Sequence, residues 1–434
     1  MTTTRHNPRT AAVARALLAI VPMVGACPAS GDETASLGSD RLVHHFDFDE
    51  RDDGNLEDVP KFWVRFGGPE FPRYAQGVFD TTTGRPAPPS FRLDAQGRNV
   101  AFRYVGPKIP VSNANDYLIV AQVRGHRLEH ARAALSAYYL DFNRLPIAST
   151  QRFSELIGTD GGQDRWRRVE ILLPGGGEDV RWIGVTAWIV HPDVWHTGPR
   201  PRRHIESRDT DASAWFDDIK IYRLPRVSIE TSAPGNVFTD SSEAFLSVTV
   251  TDADSIGLRT TLEVLDAFDN IVRTAELPIQ DGQSTAARRI ELGSADNGLY
   301  RAHVRVRTAN KVLADRMLVF AILNPLRQDR QIGNSAFGVV LETADRADPI
   351  VELAMLDALK VGAIKIPIWS GSAHIPDLID GAATTDTLLY ELLKARVAVT
   401  GVFAGPPSDL VRAAGAYQRS LLAMLNEDPD TWNG

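Results

Sequence analysis

"RWIGVTAWIV", residues 181–190, decides how the first half of the chain is read. Successive side chains of a strand point to opposite faces. Ile183, Val185, Ala187 and Ile189 therefore share one face, and Trp182, Thr186, Trp188 and Val190 share the other. If the aliphatic set faces a core, two indoles stand on the outer face of a sheet. The other possibility is that the tryptophans themselves fill the core.

Working outward, the same texture runs from about residue 41 to 225. "LVHHFDF", "DYLIVAQVR", "ALSAYYLDF", "RRVEILL" and "AWFDDIKIY" are short alternating runs broken by Gly, Pro and Asp. Six or more such strands without a convincing helix predict an antiparallel sandwich. Six of the eight tryptophans fall in this span, which favours a sugar-binding surface there. A flat, rigid indole suits the apolar face of a pyranose at low entropy cost. Trp182 and Trp188 are the first candidates for ligand contact. Trp195 joins them from the loop "HPDVWHTGPRPRRH", whose His191, His196 and His204 match no standard metal spacing.

This span opens with "FDFD" (46–49) and closes with "WFDDIKIY" (215–222). It resembles the jelly-roll carbohydrate-binding modules and the related galactose-binding-like sandwiches. The resemblance implies that the first and last strands lie side by side. Asp217 alternates in phase with Ile219 and Ile221, so a core position for those two turns Asp217 inward as well. A buried carboxylate is costly unless it is paired or metal-bound. The resemblance implies a structural calcium on Asp217, completed by Asp47, Asp49 and Glu50 of the first strand, since hard cations take oxygen ligands. An arginine partner, or a solvated strand end, is the other reading of Asp217.

Residues 226–325 form a second β-rich unit. "EAFLSVTVTDA" and "TTLEVLDAFDNIVRTAEL" carry strands, the latter turning at Asp269-Asn270, and a closing hairpin is expected around Ala309-Asn310-Lys311. The length suggests an immunoglobulin-like sandwich without the cysteine pair. It carries no recognisable chemistry, and a spacer role is expected.

From 326 to 434 the texture becomes βα. Apolar strands at "FGVVLE", "AIKIPIW" and "AVTGVFAGPP" alternate with helices at "DPIVELAMLDALKVG", "DTLLYELLKARV" and "SDLVRAAGAYQRSLLAML". Asp348 is the expected N-cap of the first helix, with Pro349 at its first position. Uniformly apolar strands separated by helices predict a parallel sheet. The segment resembles the opening of glycoside hydrolase (β/α)8 barrels of the broad retaining clan, in which Phe337-Gly338 matches the start of the first strand. Lys365 stands near a position where that family has Arg, and Trp369 matches its following aromatic. The resemblance makes both residues substrate-facing candidates.

A whole barrel needs about 250 residues, and about 100 follow Asn334. The family carries its acid/base and nucleophile glutamates on the fourth and seventh strands, since retention needs two carboxylates roughly 5 Å apart. Gly434 precedes both, so no catalytic residue is assigned and the chain is expected to be inactive. Asn426-Glu427 imitates the family's Asn-Glu pair but follows a helix directly, where an acidic loop is the simpler reading. No GxSxG, HExxH, CxxC or phosphate loop occurs.

The single cysteine of the 434 residues, Cys27, ends an apolar run preceded by Arg5, Arg9 and Arg15. Eleven apolar residues suit a signal-peptide core and cannot span a bilayer. "VGAC" resembles the bacterial lipobox, which implies a signal peptide over 1–26, lipidation of Cys27 and a membrane anchor. Pro28, where Asp favours inner-membrane retention, points to the outer membrane. Residues 28–40, polar and small, read as a tether. The expected location is the cell envelope. A net charge of −8 and a pI of 5.7 disfavour a nucleic-acid partner. Of the 47 basic residues seven are lysines and 40 arginines, a bias of the genome rather than a binding surface. Two functions follow: an exported carbohydrate-active protein binding poly- or oligosaccharide, or a non-catalytic structural or adhesive surface protein.

Overall fold

The computed structural model describes residues 41–51, 54–67, 71–158, 164–177, 179–191, 208–254, 257–279, 284–293, 295–309, 311–323, 338–340, 349–358, 361–370 and 388–404. Cys27, the tether, Trp195, Asp348, the third expected helix and Asn426-Glu427 lie outside the described residues.

The first unit contains β1 (Leu42–Phe46), β2 (Trp63–Arg65), β3 (Gln76–Asp80), β4 (Ser90–Asp94), β5 (Val100–Tyr104) and β6 (Ile109–Pro110). It continues with β7 (Asn115–His126), β8 (Arg132–Leu140), β9 (Arg152–Phe153), β10 (Trp166–Leu173), β11 (Trp182–Val190) and the long β12 (Ser213–Thr231). One sheet runs β10-β7-β12, with β1 and β4 both on the far edge of β12 and β3 beyond β4. The other runs β2-β5-β11-β8-β9, with β6 also against β11. β1 pairs antiparallel with β12, so the first and last strands are neighbours. The two sheets close over one core, to which Ile119, Phe216 and Ile221 contribute from one side and Phe102, Leu135, Tyr139 and Val185 from the other. All four aliphatic residues of the β11 alternation lie in that core.

The second unit adds β13 (Val237–Phe238), β14 (Phe245–Thr251), β15 (Arg259–Leu265), β16 (Ile271–Pro278), β17 (Thr285–Glu291), β18 (Gly298–Arg307) and β19 (Val312–Ile322). The second half of β12 pairs with β14, and β14 with β17. The facing sheet is ordered β13-β19-β18-β15-β16. The two layers enclose Leu246, Val248, Leu262, Val304 and Phe320. β12 runs unbroken through the expected boundary at 225/226, pairing with β7 as far as Pro225 and with β14 from Arg226.

The outer face of the β10-β7-β12 sheet is sealed by this second unit. Leu118 and Val120 of β7 and Leu224 of β12 belong to the second unit's apolar cluster, with Leu172 packed against it. Polar groups lock the same junction. Arg41 forks onto Asp252 at 3.1 and 2.8 Å, and Asn115 donates to Asp252 Oδ1 at 2.7 Å. Arg316 reaches Asp116 at 2.7 Å, and Gly175 N donates to the other oxygen of Asp116 at 2.6 Å. Bidentate Arg–carboxylate pairs are the strong, orienting kind.

The third unit has β20 (Gly338–Val340), α1 (Pro349–Ala358), β21 (Ala363–Ser370), a helical stretch over 388–394 and β22 (Ala398–Ala404). The three strands are parallel and in chain order. Leu356, Leu388 and Leu392 of the helices cover Val339, Ile364 and Ile366.

Candidate functional site

The outward residues of β11 meet those of β8 in register: Trp182 opposite Leu140, Gly184 opposite Tyr138, Thr186 opposite Ser136, Trp188 opposite Ala134. Both tryptophans do stand on the outer face. That face is nevertheless not an open platform. Trp188 is 4% exposed, roofed by Phe66, Phe71 and Phe153 with ring centroids 5.1, 6.0 and 6.1 Å away. Its Nε1 donates to Ser136 Oγ at 2.7 Å. The expectation of Trp188 as a sugar platform is therefore corrected: three side chains from other segments occupy the space over its ring.

At the opposite end of the strand the face differs. Trp182 is partly exposed, and Lys108 Nζ lies 4.4 Å from its ring centroid. Trp182 Nε1 is buried and has no hydrogen-bond partner among the described residues. Between the two indoles, Tyr138 lies across Gly184, where a Cβ would come within 2.4 Å of Tyr138 Cε2. Only glycine admits the phenol ring there. Tyr138 Oη sits 3.3 Å from Thr186 Oγ1. The turn leaving β8 presents Phe142 and Leu145 exposed, and it is held in shape by Asp141 Oδ1, which accepts Leu145 N at 2.8 Å. Tyr138 and Thr186 are buried at 6% and 0% exposure, so the accessible groups at this end are the Trp182 ring and the Lys108 ammonium.

Sequence reasoning missed Tyr138 and Lys108. The signal for Tyr138 was present in "ALSAYYLDF", whose two tyrosines must face opposite ways; Tyr139 takes the core and leaves Tyr138 outside. Nothing local marks Lys108, which reaches Trp182 from the β5–β6 connection.

Asp217 is 2% exposed, as its place beside the isoleucines implied, but it gets there by another route. Phe216 also faces the core, so the alternation breaks between Phe216 and Ile219. The register against β7 slips between Asp217 and Lys220, and Asp218 has a positive φ of 48°. This is a β-bulge, with an extra residue on one strand. It falls where the far-edge partner of β12 changes from β4 to β1. The Asp217 carboxylate fills the gap: Oδ2 accepts Arg85 N at 2.6 Å and Oδ1 accepts Asp218 N at 2.7 Å. Two backbone amides thus supply the partners that a buried carboxylate requires. Burial pushes its pKa up to about 7, against the pull of those amides and with help from the neighbouring charges of Asp218 and Asp49.

Asp47 and Asp49 are exposed, and Asp47 Oδ1 accepts Asp49 N at 3.2 Å. Glu50 Oε2 accepts Asn55 Nδ2 at 3.0 Å and Lys61 N at 2.6 Å, which commits it to its own loop. Among the described residues the expected calcium set does not converge. The one cluster of three acidic or histidine side chains whose ligand atoms lie within 4.8 Å of one another is Glu129, His130 and Asp209. In the third unit Lys365 is exposed on β21, paired between Val340 and Thr400; Trp369 lies on the same strand, its side chain outside the described residues.

No protein-family model matches the chain, and no curated protein matches it in sequence. Among solved structures it is similar to the CBM22-2 xylan-binding domain of Paenibacillus barcinonensis Xyn10C, at 13% identity over 42% of this chain and 98% of that one, with a TM-score of 0.27. It is also similar to the β-glucuronidase of Parabacteroides merdae, at 11% identity over 71% of this chain and 38% of that one, with a TM-score of 0.24. A third is the K1 cleaved adhesin domain of Lys-gingipain from Porphyromonas gingivalis, at 10% identity over 41% and 96%, with a TM-score of 0.26. Scores this low carry no function across.

Proposed function

We propose that the chain is an exported carbohydrate-active protein whose first sandwich binds a poly- or oligosaccharide at the Trp182 end of the β11 face. The observation that carries this is the contrast between the two outer faces of the sandwich. One is sealed by the second unit, while the other leaves the Trp182 ring partly exposed beside the Lys108 ammonium. A pyranose stacks one face on an indole while its hydroxyls take hydrogen bonds, and Lys108 swings aside to admit it.

In this reading the second unit is an immunoglobulin-like spacer. The third is the start of a glycoside hydrolase-like barrel, consistent with its parallel strands in chain order. Cys27 carries the lipid that holds the protein at the outer membrane, for which mass spectrometry of the mature N-terminus is the check.

Affinity electrophoresis of the full chain through gels containing soluble xylan, other plant polysaccharides or glycosaminoglycans tests the binding. Retardation by at least one polysaccharide is expected, and its loss in Trp182→Ala with an unchanged melting temperature. Free migration in every gel, or equal retardation of wild type and Trp182→Ala, overturns the reading.

A further inference from the structure

The two sheets of the first sandwich differ in charge as well as in cover. The strands of the β10-β7-β12 sheet, with β1, β3 and β4, mix carboxylates and cations. Their cations are paired: Arg92 with Asp80 and Asp94, Arg124 with Asp164, Lys220 with Asp218. The strands of the β2-β5-β11-β8-β9 sheet, with β6, hold four arginines, Arg65, Arg103, Arg132 and Arg152, and no aspartate or glutamate. Arg65 donates to the carbonyls of Phe71 and Pro72, Arg132 to those of Leu128, Glu129 and Ala131, and Arg152 to those of Ser149 and Gln151. Arg103 is the exception. It has neither a carboxylate nor a carbonyl partner among the described residues, and its guanidinium lies 5.5 Å from the centroid of the Phe66 ring.

Register puts Arg103 on the same outer face as Trp182. It stands opposite Thr186 on one side and Val64 on the other, and the neighbours of Thr186, Val185 and Ala187, turn into the core. Arg103 and Val64 are both exposed. Lys108, exposed as well and without a carboxylate partner among the described residues, reaches this face from the connection to β6, whose Pro110 stands opposite Trp182. Trp182 and Thr186 are four positions apart on β11. At the strand rise of about 3.3 Å per residue, the two cations therefore bracket a stretch of about 13 Å.

We infer that this face selects an acidic glycan, one carrying uronate carboxylates, with Lys108 and Arg103 as the groups that pair with them. The inference rests on the glycan-binding reading of the Trp182 end. A sugar that stacks on Trp182 displaces the Lys108 ammonium from the indole. A neutral sugar leaves that ammonium without its ring contact, whereas a uronate brings a carboxylate to the edge of the indole and pairs with it. The planar fork of Arg103 matches the two oxygens of a carboxylate on a second sugar along the chain. The protein as a whole carries a net charge of −8, so its overall field repels a polyanion. Attraction has to be local, and a sheet with arginines and no carboxylates on its strands supplies it.

The test titrates the full chain calorimetrically with oligouronates prepared from polygalacturonate and from alginate, with a sulfated galactan oligosaccharide and with xylohexaose. An oligouronate is expected to bind most tightly. Its affinity should fall severalfold between about 10 and about 100 mM salt, which shortens the Debye length from about 30 to about 10 Å. Lys108→Gln and Arg103→Gln change exposed side chains, and each is expected to weaken oligouronate binding about three- to fivefold, which is what an exposed ion pair is worth. Arg124→Gln, on the facing sheet, is expected to leave it unchanged. Tighter binding of the sulfated oligosaccharide overturns the carboxylate assignment. Oligouronate affinity that is unchanged in both variants, or lowered as much by Arg124→Gln, overturns the roles of Lys108 and Arg103. Failure of both oligouronates to bind overturns the acidic preference, and the polysaccharide gels then separate the two readings. Retardation by a neutral polysaccharide that Trp182→Ala abolishes keeps the glycan site, and free migration in every gel removes it as well.

Discussion

The two outer faces of the first sandwich begin from the same material and end differently. On the β10-β7-β12 sheet, Leu118, Val120 and Leu224 turn outward, and the second unit covers them. On the β11-β8 sheet, Trp182, Tyr138 and Trp188 turn outward, and side chains such as Lys108 and Phe66 cover them. Aliphatic rows have no polar handle and are stable only when buried. Aromatic rows with hydroxyl neighbours tolerate partial cover, since each ring pairs an apolar face with a polar edge. The first face therefore joins the two units, while the second leaves the Trp182 ring partly exposed.

The sharpest break of that contrast is on the sealed face. Asp252→Ala strands the buried Arg41 guanidinium and an amide of Asn115. Removing one partner of a buried pair costs about 3–5 kcal/mol. Denaturant unfolding should show that loss, and separation of the first and second units into two transitions.

Trp188→Ala tests whether the roofed half of the open face is structural. Deleting a buried aromatic costs about 3–5 kcal/mol, and about 3 is expected because Phe153 is exposed and can settle into the space. Trp182→Ala, at the other end of the same strand, should cost about 1 kcal/mol or less for a partly exposed ring while abolishing polysaccharide retardation. Equal destabilisation by the two would erase the distinction within this face.

Asp217 gives a pH test between the sheets and their bulge. Its folded pKa, about 7, lies above the usual carboxylate value, so between about pH 4 and 7 the folded state holds a proton that the unfolded state has lost. Stability from this group is greatest below pH 4, falls as pH rises to 7, and is level above that. The fall amounts to at most about 4 kcal/mol at 1.36 kcal/mol per unit; relaxation around the charged form brings the expected slope to about 2. Asp217→Asn should flatten it, read from melting temperatures across pH 4–8. An unchanged slope in the variant refutes the assignment.

The smallest effect is at Lys108. Lys108→Ala removes one cation–π contact worth about 0.5–1 kcal/mol at an exposed site, and uncovers the Trp182 ring. A few-fold gain in affinity for a neutral glycan is expected, whereas a loss of affinity identifies Lys108 as a direct ligand contact.

The strands, the partition of β11 into a core face and an outer face, and the parallel texture of the last segment were all legible in the residues. Each depends on a period of two, or on apolar runs between helices, which are properties of neighbours in the chain. The burial of Trp188 was not legible. Its cover comes from Phe66, Phe71 and Phe153, which no local pattern assigns to it. Nor was the displacement of Asp217 onto a bulge, since "WFDDIKIY" alternates equally well with or without one. The slip arises where β4 hands over to β1 along β12, and Arg85, from a distant loop, supplies the amide that makes a buried carboxylate tolerable there. Periodicity states which way a side chain points; what it points at depends on segments brought together across a hundred residues, and only the assembled sandwich reveals that.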